Sequence, residues 1–181
     1  MHARPIPEGY QAEWTEIIAN RKQVQSRTDA AVIVFRVGRE WLALPTGLVE
    51  EIVETRVVHK LPHRSSPILL GLVNIGGKLQ LCVSIAALLG IEAGVAPQQK
   101  KERRSIYPRM LVVRNEQHRF VFDVDEVLGT HRYAARDVQN LPATLTGALT
   151  KYSAGALSVG ERNVGFLDYE LILYAFSRST A

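Results

Sequence analysis

The sequence predicts an all-β protein built from two small units of comparable length, each with about five strands. Short apolar segments of strand type recur along residues 31–91 and again along residues 109–181, and glycines separate them. Between the two sets lies a polar, charged and proline-containing stretch, residues 92–108, which is typical of a loop or boundary. The 181 residues, 46% hydrophobic and 22% charged, are enough for one sizeable core or two small ones.

Residues 1–30 precede the strand pattern and form a predicted N-terminal extension. Within it, residues 8–25, EGYQAEWTEIIANRKQVQ, place apolar side chains near one face of a 3.6-residue repeat, which predicts an amphipathic helix. The apolar side chains of this face are Tyr10, Trp14, Ile17, Ile18 and Val24. The helix is either a lid packed on the protein's own core or an arm that binds a partner.

The first set of strands begins with a predicted hairpin. AVIVFRV and EWLALP are strand-type segments joined by Gly38 and Arg39, and VEEIVET, residues 49–55, alternates weakly. VVHKLP ends at a proline, which cannot continue a central strand. The segment SSPILLGLVNIGGKLQLCVSIAALLGI predicts two apolar strands around a glycine turn, then a short helix over residues 86–89 that Gly90 ends.

The second set contains the strand-type segments MLVVR, HRFVFDVDEVLGTHRY and ALSVGERNVGFLDY. Within this half, Gly129, Gly147, Gly155 and Gly160 are predicted to mark turns. In the tail DYELILYAFS, Asp168 stands at an N-cap position before apolar residues, which predicts a short C-terminal helix that closes the fold.

The stretch GLVNIGGKLQL, residues 71–81, contains glycines and a lysine but does not match a phosphate-binding loop. That motif needs a lysine followed by serine or threonine and then a helix, whereas Lys78 is followed by Leu79 and a strand pattern. Gly76 and Gly77 are better interpreted as a hairpin turn, because glycine adopts positive φ angles at little steric cost.

No other pattern assembles a catalytic or metal site, so the sequence predicts a protein that is not an enzyme and binds no cofactor. His59 and His63 are four residues apart, but Pro62 breaks the helical face that they would share, and no third ligand is near. Asp123 and Asp125 alternate on one strand face without a neighbour that would make them an acid and base pair.

Hydropathy and cysteine content predict a cytoplasmic protein. No apolar run approaches the ~20 residues that span a bilayer, and the N-terminus lacks the apolar centre of a signal peptide. The single cysteine, Cys82, lies in an apolar run and is predicted to be a small buried residue.

A net charge of +4 leaves a second class of function open, a small-barrel module that binds nucleic acid through a basic loop. Against it, no aromatic residues interleave with the basic run as a stacking surface would require. The basic run consists of Lys100, Lys101, Arg103 and Arg104.

Six loose motifs occur in a specific order along the chain. After the hairpin VIVFRVGREWLALP come a V-x-E-I segment, a leucine-proline pair and a G-x-x-N-x-x-G turn; a V-D-x-V element and the closing VGFLDYELIL follow in the second half. The residues that carry them are Val49, Glu51, Ile52, Leu61, Pro62, Gly71, Asn74, Gly77, Val124, Asp125 and Val127. In this order the motifs resemble the CheW family of chemotaxis coupling proteins over most of the chain.

The resemblance implies a fold and a set of partners. The fold would be two SH3-like five-stranded barrels packed around a shared apolar seam, the first over about residues 31–91 and the second over about 109–181. The function would be that of a scaffold in membrane receptor arrays. It would bridge the regulatory domain of a CheA-type histidine kinase to the cytoplasmic tips of methyl-accepting chemoreceptors, with no nucleic acid and no insertion into the membrane.

The resemblance also implies two contact surfaces. A surface for the kinase would consist of Val49, Glu51, Ile52, Val53, Asn74, Gly76, Gly77 and Lys78. A groove between the barrels would take a receptor helix through Leu81, Val83, Val124, Asp125 and Val127.

Three positions depart from the family pattern. Gly76 stands where an arginine is common, and Leu81 and Ser84 stand where a proline and an aspartate are expected. The arginine would offer a planar group with five donors to a partner carboxylate. Its absence predicts weaker binding or a different partner, as in an accessory chemotaxis-like pathway, with flagellar chemotaxis as the alternative.

Overall fold

The computed structural model describes residues 30–62, 66–92, 107–114, 118–141 and 147–180. Within these ranges the strands are β1 (Ala30–Val37), β2 (Glu40–Pro45), β3 (Val49–Glu54), β4 (Val58–His59), β5 (Leu69–Ile75), β6 (Lys78–Val83), β7 (Arg109–Arg114), β8 (Arg119–Val124), β9 (Glu126–Tyr133), β10 (Ser153–Val159) and β11 (Arg162–Leu167). The helices are α1 (Ile85–Leu89), α2 (Ala148–Lys151) and α3 (Tyr169–Thr180), and 3-10 turns cover Thr46–Leu48 and Ala135–Asp137. The described protein is therefore mostly β, as predicted.

The strands form two sheets, but the sheets do not divide the chain into its two halves. The first sheet has the order β10-β11-β2-β1-β9, and the second has the order β3-β7-β8-β6-β5-β4. The prediction that one unit takes the strands before residue 92 and the other those after residue 108 is wrong. It fails because β11 pairs with β2, and β8 pairs with β6, so that strands from both halves share each sheet. Both pairs are parallel and join strands far apart in sequence, which local turn signals do not reveal.

Both sheets curl. In the second sheet the two edge strands, β3 and β4, are consecutive in sequence and are joined by residues 55–57 alone. Those residues span at most about 14 Å, whereas the edges of a flat six-stranded sheet would lie about 24 Å apart. In the first sheet, Gln139 follows β9 and exchanges backbone hydrogen bonds of 2.8 and 2.9 Å with Ala156 on the far edge. Full closure into SH3-like barrels stays a prediction.

The central strands are buried on both faces, and their side chains alternate between core layers. Phe35 on β1 and Phe122 on β8 face a central core between the sheets, with ring centroids 5.9 Å apart. Their neighbour Val34 faces a cluster within the first sheet, and Val121 faces a cluster within the second. This three-layer arrangement explains why the strand segments are nearly continuous apolar runs.

The C-terminal helix α3 seals the central core. Phe176 is fully buried, and its ring centroid lies 5.4 Å from that of Phe120 and 6.4 Å from that of Phe122. Asp168 caps the helix as predicted, because its Oδ1 accepts a hydrogen bond of 3.2 Å from the N–H of Leu171.

The short helix α1 also forms where the sequence predicts it. Ser84 replaces the aspartate expected from the family pattern and acts as N-cap, since its Oγ accepts the N–H of Ala87 at 3.1 Å. Gly90 ends the helix with a φ of 65°.

Two of the predicted turn glycines lie inside strands instead. Gly129 is in β9, where the pairing with β1 shifts by one residue, and its φ is 125°. Gly155 is in β10, where a Cβ would lie 2.5 Å from the Val138 side chain and 2.8 Å from the carbonyl oxygen of Gln139. Sequence alone cannot separate a turn glycine from one required by a bulge or by a close approach.

Candidate protein-binding surfaces

The first predicted surface begins on β3, an edge strand of the second sheet. Val53 points inward and packs against the cluster within that sheet, and Val49 packs against the central core. Ile52 keeps 39% of its area exposed, and Glu51 and Glu54 are exposed beside it. Charged side chains on an edge strand oppose pairing with another sheet, so this edge, named here the β3 edge, favours contacts made by side chains.

The predicted glycine turn joins β5 to β6 as a two-residue hairpin. Ile75 pairs with Lys78, and Gly76 and Gly77 have φ angles of 57° and 83°. The Oδ1 of Asn74 accepts the N–H of Gly77 at 2.9 Å and so holds the turn. Lys78 begins a strand, not a helix, which confirms that the stretch is a hairpin and not a phosphate-binding loop.

An open hollow of about 380 Å³ lies between this turn and the connection from β3 to β4. It is named here the turn hollow, and its lining residues are Arg56, Val57, His59, Asn74, Gly76 and Gly77. The structure thus places the glycine turn beside the connection that follows β3, whereas the predicted β3 residues Val49, Glu51, Ile52 and Val53 do not line the hollow.

Arg56 and Val57 lie in the turn hollow although no sequence motif includes them. Val57 is 75% exposed although it is apolar, whereas its neighbour Val58 packs inward against the cluster within the second sheet. The signal was present in the sequence, because successive side chains of an extended segment point to opposite sides, and Val57 directly precedes Val58 of β4.

The second predicted surface is partly buried by the fold, and Val83, Val124 and Asp125 line one cleft. Val83 and Val124 lie inside the central core, 0% and 3% exposed, so their side chains are not available to a partner. Leu81 and Val127 are half-buried and pack against that core. Apolar residues in a motif therefore serve first to hold the two sheets together.

Asp125 has a structural role at the junction of the two sheets. It lies between β8 and β9, and its Oδ2 accepts the N–H of Gly38 at 2.6 Å in the β1–β2 turn. Arg36 lies 3.7 Å from the same carboxylate and 3.3 Å from that of Glu126, and it donates to the carbonyl of Gly38 at 2.6 Å. These contacts give the Asp125 carboxylate hydrogen-bond and charge partners within the protein. Asp125, Glu126, Arg36 and Gly38 are together named here the Asp125 junction.

A cleft of about 200 Å³ opens beside the Asp125 junction, between the two sheets. Its walls include Gly38 from the first sheet, Ala86 from α1 and Asp123 from β8. This volume is below the about 300 Å³ of the smallest typical ligand pockets, so the cleft suits a side chain and not a whole helix.

Two titratable groups near the cleft have raised pKa values. Asp123 retains an exposed edge, yet burial raises the pKa of its carboxyl, and the charge of Asp125 adds to this shift. Burial, together with the charge of Asp123, raises the pKa of the Cys82 thiol to about 12. Cys82 is a free, buried residue as predicted, and its thiol stays protonated at neutral pH.

The remaining sequence candidates add no chemistry to these surfaces. His59 is exposed in the turn hollow, and His63 lies outside the described residues. Among the described residues no three His, Cys, Asp or Glu side chains are grouped as metal ligands would be. The predicted N-terminal helix and the basic run at 100–104 also lie outside the described residues.

In the part of the chain that the structure describes, no helix has the length and apolar character needed to cross a membrane. A comparison with curated proteins found none that matches this chain. Among solved structures, the chain is similar to the scaffolding protein TtCheW from Thermoanaerobacter tengcongensis. The TM-score is 0.62 at 18% sequence identity, and the match covers 77% of this chain and 84% of that one.

The similarity to TtCheW is one of fold, because the sequence identity is low. The family assignment comes from a different comparison, in which the model of the CheW-like domain matches residues 31–176. That match spans both sheets, from β1 into α3. The chain therefore belongs to the CheW-like domain family.

Proposed function

We propose that this chain is an adaptor without enzymatic activity that couples chemoreceptors to a CheA-type histidine kinase. The observation that carries the proposal is the match of the CheW-like domain over residues 31–176. In this proposal the two curled sheets are SH3-like barrels, and the adaptor works in the cytoplasm at membrane receptor arrays.

The kinase's regulatory domain binds the β3 edge and the turn hollow. Three large apolar side chains are exposed on the second sheet in this region: Ile52 at 39%, Val57 at 75% and Leu79 at 63%. Asn74 pairs with Leu79 across β5 and β6, which places Leu79 next to the turn. Exposed apolar residues near a rigid turn suit a compact interface whose centre is apolar and whose rim is charged.

The receptor helix contacts the seam between the sheets, near the cleft beside the Asp125 junction. Because Val83 and Val124 are buried, the contact surface there is narrower than the motif predicts and consists of Leu81, Val127 and the exposed part of Asp125. The cleft beside the Asp125 junction then takes one side chain of the receptor helix.

The test is a titration of the intact chain with the regulatory domain of a CheA-type kinase and, separately, with a receptor cytoplasmic fragment. Weak array contacts are expected to saturate by about 100 μM, which corresponds to roughly 5–6 kcal/mol of binding free energy. Binding to both partners supports the proposal. No binding of the kinase domain at that concentration would contradict it.

A further inference from the structure

The turn hollow has a chemical character that specifies its partner more closely. We propose, as an inference that rests on the proposed function, that Arg56 pairs with a carboxylate of the docked partner. The partner then contributes an Asp or Glu side chain to the hollow, beside an apolar side chain that covers Val57.

The first support is the open space above the glycine turn. A Cβ built on Gly76 or Gly77 would meet no atom within 4 Å. The two positions need glycine because of their positive φ angles, and their lack of side chains also leaves the hollow accessible. A partner side chain can therefore reach Arg56 across the turn without displacing any part of this chain.

The second support is that Arg56 has no ion-pair partner within the described part of the chain. Along residues 30–62 and the other described segments, no carboxylate lies within 4.0 Å of its guanidinium, although Glu54 is only two residues away. In contrast, Arg36 and Arg119 are each paired with a carboxylate at 3.3 Å or less. Arg56 therefore gives up no ion pair to a described residue when it binds a partner.

The third support is the composition of the surroundings. Lys60 and Lys78 are exposed and directly follow the lining residues His59 and Gly77 in sequence, and Val57 supplies an exposed apolar surface. The guanidinium is planar and pairs with a carboxylate through two parallel hydrogen bonds. The hollow's lining contains no Phe, Tyr or Trp, and its one ring is the imidazole of His59, so binding of a single-stranded oligonucleotide is measured as a separate outcome below.

The experiment compares charge-reversal variants of the full chain in titrations with the CheA-type regulatory domain. Arg56→Glu is expected to bind at least tenfold more weakly than the wild type. Its melting temperature is expected to stay unchanged, because Arg56 is exposed and makes no ion pair with a described residue. The control is Arg136→Glu, which reverses the same charge on an arginine after β9 whose side chain is 88% exposed and lies 3.9 Å from the Asp137 carboxylate. Its affinity is expected to stay within twofold of the wild type.

A second step identifies the carboxylate. Each surface Asp and Glu of the regulatory domain is changed to Lys, and each variant is titrated with the wild type and with Arg56→Glu. One Lys variant of the regulatory domain is expected to bind the wild-type chain more weakly and to bind the Arg56→Glu chain more tightly than the unchanged domain does. This pattern is expected when the charges of a direct ion pair are exchanged.

The outcomes separate the two proposals. If the wild type binds the regulatory domain and Arg56→Glu binds equally well, the role of Arg56 is wrong while the adaptor function stands. If Arg136→Glu loses as much affinity for the regulatory domain as Arg56→Glu does, the role of Arg56 is also wrong. The same holds if Arg56→Glu weakens only the binding of a single-stranded oligonucleotide. If the wild type does not bind the regulatory domain at all, the adaptor function itself fails.

Discussion

The turn hollow and the Asp125 junction both contain motif residues of the CheW-like family, but the fold uses them in opposite ways. In the turn hollow the side chains point to solvent, and Arg56 lacks a partner among the described residues. At the Asp125 junction the carboxylate holds a turn of the other sheet through Gly38 and Arg36. A residue of a family motif can therefore serve either the binding of a partner or the stability of the fold. Only the structure shows which of the two roles a given residue has.

The largest expected effect is that of Gly71→Ala, which tests whether the turn hollow depends on close packing beneath it. Gly71 has a φ of 145°, and a Cβ there would collide with the carbonyl oxygen of His59 in the adjacent strand β4. We expect a loss of more than about 2 kcal/mol in the free energy of unfolding, from backbone strain and steric overlap. Denaturant titration measures it, and an unchanged midpoint would contradict the close contact between β4 and β5.

A smaller effect is expected from Asp125→Ala, which tests the structural role of the junction. Losing the charged acceptor of the Gly38 N–H removes a hydrogen bond worth about 1–2 kcal/mol at this half-exposed site. Asp125→Asn is the matched control, because its amide oxygen still accepts that bond. The prediction is that denaturant stability falls in the Ala variant and falls less in the Asn variant; equal stability of all three proteins would show that the junction is not structural.

The smallest effect concerns Asp123, at the wall of the cleft beside the junction. Its pKa is raised in the folded protein, so the folded state holds the proton more tightly than the unfolded state does. The free energy of unfolding therefore falls as this carboxyl ionises, over the pH range from its ordinary pKa of 3.8 to the raised pKa of the folded protein. Asp123→Asn is expected to melt slightly above the wild type at pH 7 and to show a smaller advantage at pH 4. A constant difference across this range would contradict the shift.

The sequence predicted the parts of the fold that depend on neighbouring residues. Four local features formed as expected: the hairpin at Gly38 and Arg39, the two-glycine turn, the N-cap at Asp168 and the end of α1 at Gly90. Each depends on side-chain or backbone chemistry within a few residues, which a local pattern contains.

The pairing of distant strands could not be predicted in this way. The parallel pairs β2 with β11 and β6 with β8 are selected by burial on both faces of the central strands, and many pairings would satisfy the same apolar pattern. For the same reason the burial of Val83 and Val124, and the place of Arg56 beside Gly76, follow only from the three-dimensional arrangement.

The most direct test of the contrast between the two regions compares Ile52→Asp with Leu128→Asp in titrations with the kinase regulatory domain. Both side chains are 39% exposed on edge strands, Ile52 on the β3 edge and Leu128 on β9 of the first sheet. Each substitution adds one negative charge at matched exposure, so melting temperatures should stay close. We expect Ile52→Asp to lower affinity by tenfold or more, about 1.4 kcal/mol, and Leu128→Asp to bind as the wild type does. Normal binding by Ile52→Asp would contradict this expectation.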